Sequence, residues 1–360
     1  MLKTLKKMTV AAVFVLTAAA TAITAAAMGF SVTTNLPENQ RDTGRSSFDL
    51  LVSPGMEQDI IITIRNAEDV DSVVLVETIT ASTSRNGDLN YSSRGMMDQT
   101  LQFSFEDIAK VPQSYYTIPA GGSIDVPVRL TVPNEPFEGM ILGSIRVFKE
   151  ATEEEREAAG AIVNQYAYVT AVRLVQDVNA DNIPAEFVLG ELTAERVSRR
   201  ASIVAYIRNT QPKLIKDAAA SATIYPRGGN EAVFELKNEN VSFAPNSIFP
   251  FSIVDREGRG IEAGDYTAHI EIMYEGKTWS FVEDFTITET AAAAANENAI
   301  NQLEDPVARW FDDIPLWAMV GIGMGAMLMF LMVVLIARTK RQNTKNIAQL
   351  QQLLAESGKG

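Results

Sequence analysis

One stretch restricts this chain more than any other: Ile314 to Ala337 holds no Asp, Glu, Lys, Arg, Asn or Gln over 24 consecutive positions. As a helix it would reach about 36 Å at 1.5 Å per residue, enough to cross a hydrocarbon layer of about 30 Å with some tilt. Glu304, Asp305, Asp312 and Asp313 precede it, and Arg338, Lys340, Arg341 and Lys345 follow it. The positive-inside rule then puts the C-terminus in the cytoplasm and everything before Ile314 outside. A buried helix of a soluble enzyme seldom runs this long without a polar face. Residues 314–337 are therefore expected to be a transmembrane helix and 338–360 a basic cytoplasmic tail.

The other end of the chain explains export. Lys3, Lys6 and Lys7 precede an apolar stretch from Met8 through Ala27 that closes on Ala25-Ala26-Ala27. This is the pattern of a signal peptide over 1–27, with an uncleaved N-terminal anchor as the competing reading. Its richness in Ala and Thr and its weak hydrophobicity favour removal. Between the two apolar segments the chain is strongly acidic. The formal net charge of −14 understates this, because eight of the 31 Lys and Arg lie in the signal and tail, against one of the 45 Asp and Glu. Such a surface repels nucleic acid and anionic lipid headgroups. There is no cysteine and one histidine, His269, which argues against a zinc site and most histidine-dependent catalysis. An exported chain of this size without cysteine points to a Gram-positive cell surface.

From Phe30 to Phe148 the pattern is strand, turn, strand. Ser47 to Val52 leads through Ser53-Pro54-Gly55 to Asp59–Asn66; Val73 to Ala81 follows, then Asn86-Gly87 with Leu89 to Tyr91 beyond it. Asn-Gly is a strong hairpin signal because both residues accept positive φ. Leu101 to Ile108, Ile124 to Val132 and Met140 to Phe148 complete about seven strands, the spacing of an immunoglobulin-type sandwich. The Glu-rich run 151–165 then reads as a solvated linker. A second set runs from Ala167–Val175 through Phe187–Thr193, Ser202–Asn209, Ala218–Tyr225, Val233–Leu236, Ile248–Ile253 and Tyr266–Tyr274 to Trp279–Ile287. Ile64-Arg65-Asn66 and Ile207-Arg208-Asn209 echo each other, a match equally compatible with duplication and coincidence. The expected architecture is all-β: two tandem immunoglobulin-like β-sandwiches over 28–150 and 166–289, an alanine-rich stalk over 290–313, an N-terminal signal peptide and one C-terminal transmembrane helix.

Several local patterns resemble one family. Phe30-Ser31-Val32, Asn39-Gln40, Ser47-Phe48-Asp49-Leu50 and Pro54-Gly55 resemble the opening of the first domain of the WxL-interacting proteins of Gram-positive bacteria. Ala81, Thr83, Asn86-Gly87, Tyr91, Val132-Pro133, Phe137, Gly139 and Gly143 continue the likeness. Ala244-Pro245-Asn246-Ser247 with Phe249, Gly264-Asp265-Tyr266, Trp279, Phe281 and Phe285-Thr286-Ile287 are similar to that family's second module. The resemblance implies a membrane-anchored adhesion and assembly protein without catalytic residues or cofactors. Its implied partners are peptidoglycan, WxL-domain surface proteins and host extracellular-matrix proteins. A wall-modifying enzyme or a wall-sensing receptor component is the rival reading.

The residues themselves offer few sites. Tyr115-Tyr116, between Pro112 and Pro119, could stack on sugar rings from a proline-bounded loop, or one of them could cover the end of the sandwich. Asn39 and Gln40 could hydrogen-bond muropeptide amides, and a turn role suits Asn39 equally well. Asp177, Asn179 and Asp181 imitate the start of a calcium loop, but Asn182 stands where Gly is needed and Val188 where the bidentate Glu belongs. Glutamates scatter over connector and strand exteriors, without the paired-carboxylate setting of a wall hydrolase. Gly321 and Gly325 form a small-xxx-small pattern that would let two anchors associate.

Overall fold

Strands form wherever apolar residues alternate, because a period of two sends them all to one face of a sheet. The computed structural model describes residues 29–149, 167–255 and 258–299. In chain order the first part holds β1 (Phe30–Asn35), β2 (Phe48–Leu51), β3 (Glu57–Asn66), β4 (Ser72–Thr80), β5 (Ser82–Thr83), β6 (Leu89–Asn90), helix α1 (Phe105–Ile108), β7 (Ala109–Lys110), β8 (Tyr115–Ile118), β9 (Ser123–Thr131) and β10 (Met140–Phe148). Then come β11 (Ala167–Val175), β12 (Phe187–Val197), β13 (Arg200–Asn209), β14 (Ile215–Pro226), β15 (Phe234–Phe243), β16 (Ser247–Val254), β17 (Gly264–Tyr274), β18 (Lys277–Ile287) and helix α2 (Glu289–Asn296).

In the first sandwich a sheet of order β1-β3-β9-β7 faces one of order β2-β11-β10-β4-β8. Ile60, Ile62 and Ile64 of β3 and Val126, Val128 and Leu130 of β9 share a core with Val74, Val76, Ile145, Val147, Val172 and Leu174 opposite. Each such side chain contributes about 1.5–3 kcal/mol when fully buried, so the core forms without a disulfide. In the second sandwich β12-β13-β16 faces β15-β14-β17-β18. Its core is aromatic: Phe243 meets Phe187 at 4.8 Å and Phe249 at 5.4 Å. Near the start of β17 the Tyr266 hydroxyl donates to the Glu262 carbonyl at 2.9 Å, the tyrosine corner of immunoglobulin-type sandwiches.

The Ile-Arg-Asn echo marks one device used twice. Asn66, ending β3, donates through Nδ2 to the carbonyls of Val70 (2.7 Å) and Ile118 (3.2 Å) and accepts from the Glu68 N–H. Asn209, ending β13, donates to Lys213 and Ala244 (both 2.9 Å) and accepts from the Gln211 N–H. Both are fully buried, and each spans the same two and four residues of the connection into the next strand.

Four local expectations change. Ala167–Val175, expected to open the second set, completes the first sandwich: it pairs antiparallel with all of β10 and parallel with β2. Val172 and Leu174 find their apolar surroundings there. Leu101–Ile108 is not a strand; Ser104 caps a single helical turn, accepting from the Asp107 N–H. Phe105 of that turn fills the space over Gly143, where a Cβ would stand 2.2 Å from the ring. Tyr115 and Tyr116 lie on β8, not in a loop. Residues 290–296, expected in a stalk, belong to α2, which packs on β12 and β13 with Ala292 and Ala295 in the second core. The Asn296 amide accepts from the Ile261 N–H (2.9 Å) and donates to its carbonyl (2.8 Å).

The expected signal peptide, the 151–165 linker, the transmembrane span with Gly321 and Gly325, and the tail lie outside the described residues. Among the described residues no helix is long and apolar enough to cross a membrane.

Candidate functional site

The five-stranded sheet has an outer face that changes character along its length. At the end farther from the second sandwich, cross-strand register aligns Tyr115, Leu75, Phe148 and Ala167 in one row and Glu77, Arg146 and Val169 in the next. Val73, Val169 and Tyr115 are exposed, Tyr115 at 55%. Tyr115 and Phe148 stand two strands apart, about 10 Å at the usual inter-strand spacing. The Arg146 guanidinium lies 2.6 Å from Glu77 and 4.6 Å from the centroid of the Phe148 ring, so it is held in place by an ion pair and a cation–π contact. A rigid row of aromatic and aliphatic groups beside a fixed cation suits stacking against the flat faces of sugar rings and contact with an acyl or peptide substituent.

The other end of that face is covered. Ser144 donates to the Tyr91 carbonyl at 2.6 Å, and Ala81 and Leu142 cluster with Ala244, Leu89, Tyr91 and Leu214. The segment 81–101 leaves the first sandwich here and lies on the second; the two form one compact unit. The β5–β6 hairpin turns at Gly87 (φ +81°), whose carbonyl accepts from the Ser242 N–H at 2.7 Å. Thr83 Oγ1 accepts from the Ala244 N–H (2.9 Å) and shares a hydrogen bond with Ser247 Oγ (2.7 Å). Gly139 (φ +65°) abuts the Pro212 carbonyl, where a Cβ would stand 2.2 Å away. Asp98, its side chain fully buried, accepts from Arg208 at 2.5 and 3.2 Å. Burial pushes the Asp98 carboxyl up, but the Arg208 hydrogen bonds and two from Thr100 outweigh it and hold it below the ordinary aspartate range. Beside this junction is a cleft of about 310 Å³ lined by Thr100, Gln102, Phe103, Phe137, Pro212 and Asn246.

The sequence candidates do not form one site. Gln40 is buried and spends its amide on the Asp42 and Ser47 carbonyls and the Asp49 N–H. Asn39 donates to the Leu51 carbonyl and exchanges hydrogen bonds with Gln58. Both hold the loop that feeds β2, at the opposite edge of the five-stranded sheet from β8. Tyr116 points into the core, and burial raises its hydroxyl pKa; only Tyr115 faces outward. Leu75, Arg146 and Phe148 complete its surface and were missed as site residues, since only the register of β8, β4 and β10 aligns them. Asp181 pairs with Arg173 at 2.7 Å, and Asp177 accepts from the Asn179 N–H. Among the described residues no group of three or more His, Asp or Glu is placed to hold a metal.

Residues 30–149 match the family model described as the WxL Interacting Protein peptidoglycan binding domain, and residues 157–297 match its host binding domain. The chain belongs to the WxL-interacting protein family. The second model begins ahead of β11, although that strand hydrogen-bonds into the first sandwich. Many residues that carry the family likeness, Ala81, Thr83, Asn86-Gly87, Tyr91, Gly139 and Ala244–Ser247 among them, build the junction. No curated protein matches the sequence.

Solved structures similar to the chain include the Pseudomonas aeruginosa CupB2 chaperone, at 11% identity and TM-score 0.26 over 66% of this chain and 96% of that one. The E. coli chaperone DraB shares 15% identity at TM-score 0.25, over 72% of this chain and 98% of that one. Likenesses at this distance have no bearing on what the chain binds.

Proposed function

We propose that this WxL-interacting protein is a non-catalytic adhesion and assembly protein, anchored by residues 314–337 in a Gram-positive cell membrane with two tandem immunoglobulin-like modules outside. The first sandwich holds peptidoglycan on the outer face carrying Tyr115, Leu75, Arg146 and Phe148. The second engages WxL-domain surface proteins or host matrix proteins. The match of residues 30–149 to a peptidoglycan binding domain carries this reading, and the exposed Tyr115 row supports its location within that domain. The junction supports a shared task, because it ties the two sandwiches into one body that transmits force between wall and partner.

Sedimentation of the full-length chain with purified, insoluble peptidoglycan tests the site. Tyr115→Ala should weaken retention roughly tenfold, the loss of about 1.4 kcal/mol of stacking, with the melting temperature unchanged. A folded Tyr115→Ala protein retained like the wild type would discard the face. Protease added to intact cells tests topology: it should degrade both sandwiches and spare a reporter fused to Gly360.

A further inference from the structure

The two sandwiches share one wiring. β1-β3-β9 corresponds to β12-β13-β16, and β11-β10-β4 corresponds to β18-β17-β14. In the first sandwich the outer edge of β11 is occupied by β2, which runs parallel to it and sends Phe48 and Leu50 into the core. In the second, the matching edge of β18 has no strand on it among the described residues.

That edge is built to accept one. The turn Glu275-Gly276 has positive φ at both residues, 48° and 76°, which is a type I′ hairpin and makes Tyr274 and Lys277 a hydrogen-bonded pair. Alternation then directs the N–H and C=O groups of Thr278, Ser280 and Val282 away from β17, into the open. The ladder runs from Lys277 to Ile287 without a bulge. The other edges of this sandwich are blunted: β12 carries a bulge between Leu189 and Leu192, the β14–β15 ladder is broken twice, and β16 contains Pro250.

Helix α2 follows β18 and packs on β12 and β13, and Phe285 and Ile287 are buried in the core it joins. Ahead of it the sandwich is incompletely closed: Trp279 and Phe281 on β18 and Leu189 and Leu192 on β12 are only partly buried, and Trp279 leans on Phe187 at 5.0 Å. Val282 is 64% exposed. Glu283 and Glu191 flank this half, neither in an ion pair among the described residues.

We propose that the β18 edge is a strand-acceptor site. An extended segment of a partner protein, apolar at alternate positions and basic toward its C-terminal end, pairs in parallel with Thr278–Val282. Its apolar side chains fill the gap between Trp279, Phe281, Leu189 and Leu192, as Phe48 and Leu50 do in the first sandwich, and its basic end meets Glu283. Main-chain hydrogen bonds supply affinity and the alternate side chains supply selectivity. This rests on the reading that the second sandwich binds a protein, and specifies how.

The probe is a synthetic peptide alternating Phe and Leu with Thr and ending in two lysines, titrated into the solubilised full-length chain with a scrambled peptide as control. Binding should slow hydrogen exchange at the Thr278, Ser280 and Val282 amides. Ser280→Pro removes one outward N–H and leaves the β17 ladder whole; it should weaken peptide binding at least tenfold, as scrambling should. Should that variant not fold, Glu283→Lys takes its place: it should reverse the preference between lysine-ended and glutamate-ended peptides. Wild-type affinity in the folded variant, or protection elsewhere, overturns the proposal. Concentration-dependent dimers that protect the same amides without peptide overturn it in favour of a second copy of this chain. A WxL-domain protein retained equally by wild type and Ser280→Pro sinks the edge and leaves the protein-binding role standing. If wild type retains neither a WxL-domain nor a matrix protein, that role falls, while the peptide titration still decides the edge.

Discussion

In the first sandwich β11 is flanked on its outer side by β2, only four residues long, whose Phe48 and Leu50 are buried. In the second, β18 carries no strand on its outer edge among the described residues, while α2 packs on β12 and β13 of the facing sheet. The wiring beneath is the same, down to the asparagine that ends β3 and the one that ends β13. The difference therefore lies in the lids, not in the frame. A strand lid satisfies the backbone groups of the edge it covers; a helix lid buries apolar surface and leaves those groups unpaired. Among the described residues, the first module is finished by its own chain and the second only in part.

The contrast is most exposed to Phe48→Ala, which removes the largest side chain of the strand lid. It should cost about 3 to 5 kcal/mol in urea unfolding of the full-length chain. A loss below about 1 kcal/mol would mean that β2 is not a structural lid and would undo the comparison.

Arg208→Ala comes next, because it leaves Asp98 buried between the sandwiches without its cation; about 3 kcal/mol is expected. The two sandwiches should then melt in separate steps in calorimetry, where the wild type melts in one. The same contact has a pH signature. The Asp98 carboxyl titrates lower in the folded chain than in the unfolded one. Its contribution is therefore fully present above the unfolded value and is lost as pH falls through the folded one. Acid should loosen the junction in the wild type, and Asp98→Asn should flatten that dependence.

Asn66→Ala and Asn209→Ala sharpen the comparison from the other side. Each strips buried carbonyls of their donor, so each should cost about 2 kcal/mol. Losses differing by more than about 1 kcal/mol would show that the two clamps are not equivalent. Smallest is Asn296→Ala, about 1 kcal/mol, which frees α2 from Ile261. It should speed hydrogen exchange at the Ile261 amide, which loses its acceptor.

Much of this architecture was legible in the residues. Alternation located most strands, Asn86-Gly87 marked a hairpin, and Ile207-Arg208-Asn209 held the clue to the repeated clamp. Legibility failed where two placements are locally identical. Tyr115 and Tyr116 are the same residue type side by side, and only the strand period decides that one is core and the other surface. Ala167–Val175 alternates equally well for either sandwich, so its partner strands had to choose. Thr290–Ala295 favours helix anywhere, and only the apolar gap at β12 and β13 makes that helix a lid. Asn39 and Gln40 looked free to bind a ligand because the carbonyls they satisfy come from residues that only the folded loop brings near.

Composition, period and local pattern were enough for the all-β class, the acidic charge and the family. Tertiary structure decided which sheet each strand joins, which faces stay open, and how the modules lock together. Those outcomes depend on contacts between residues far apart in the chain, and a strand carries its own periodicity but not the identity of its neighbours.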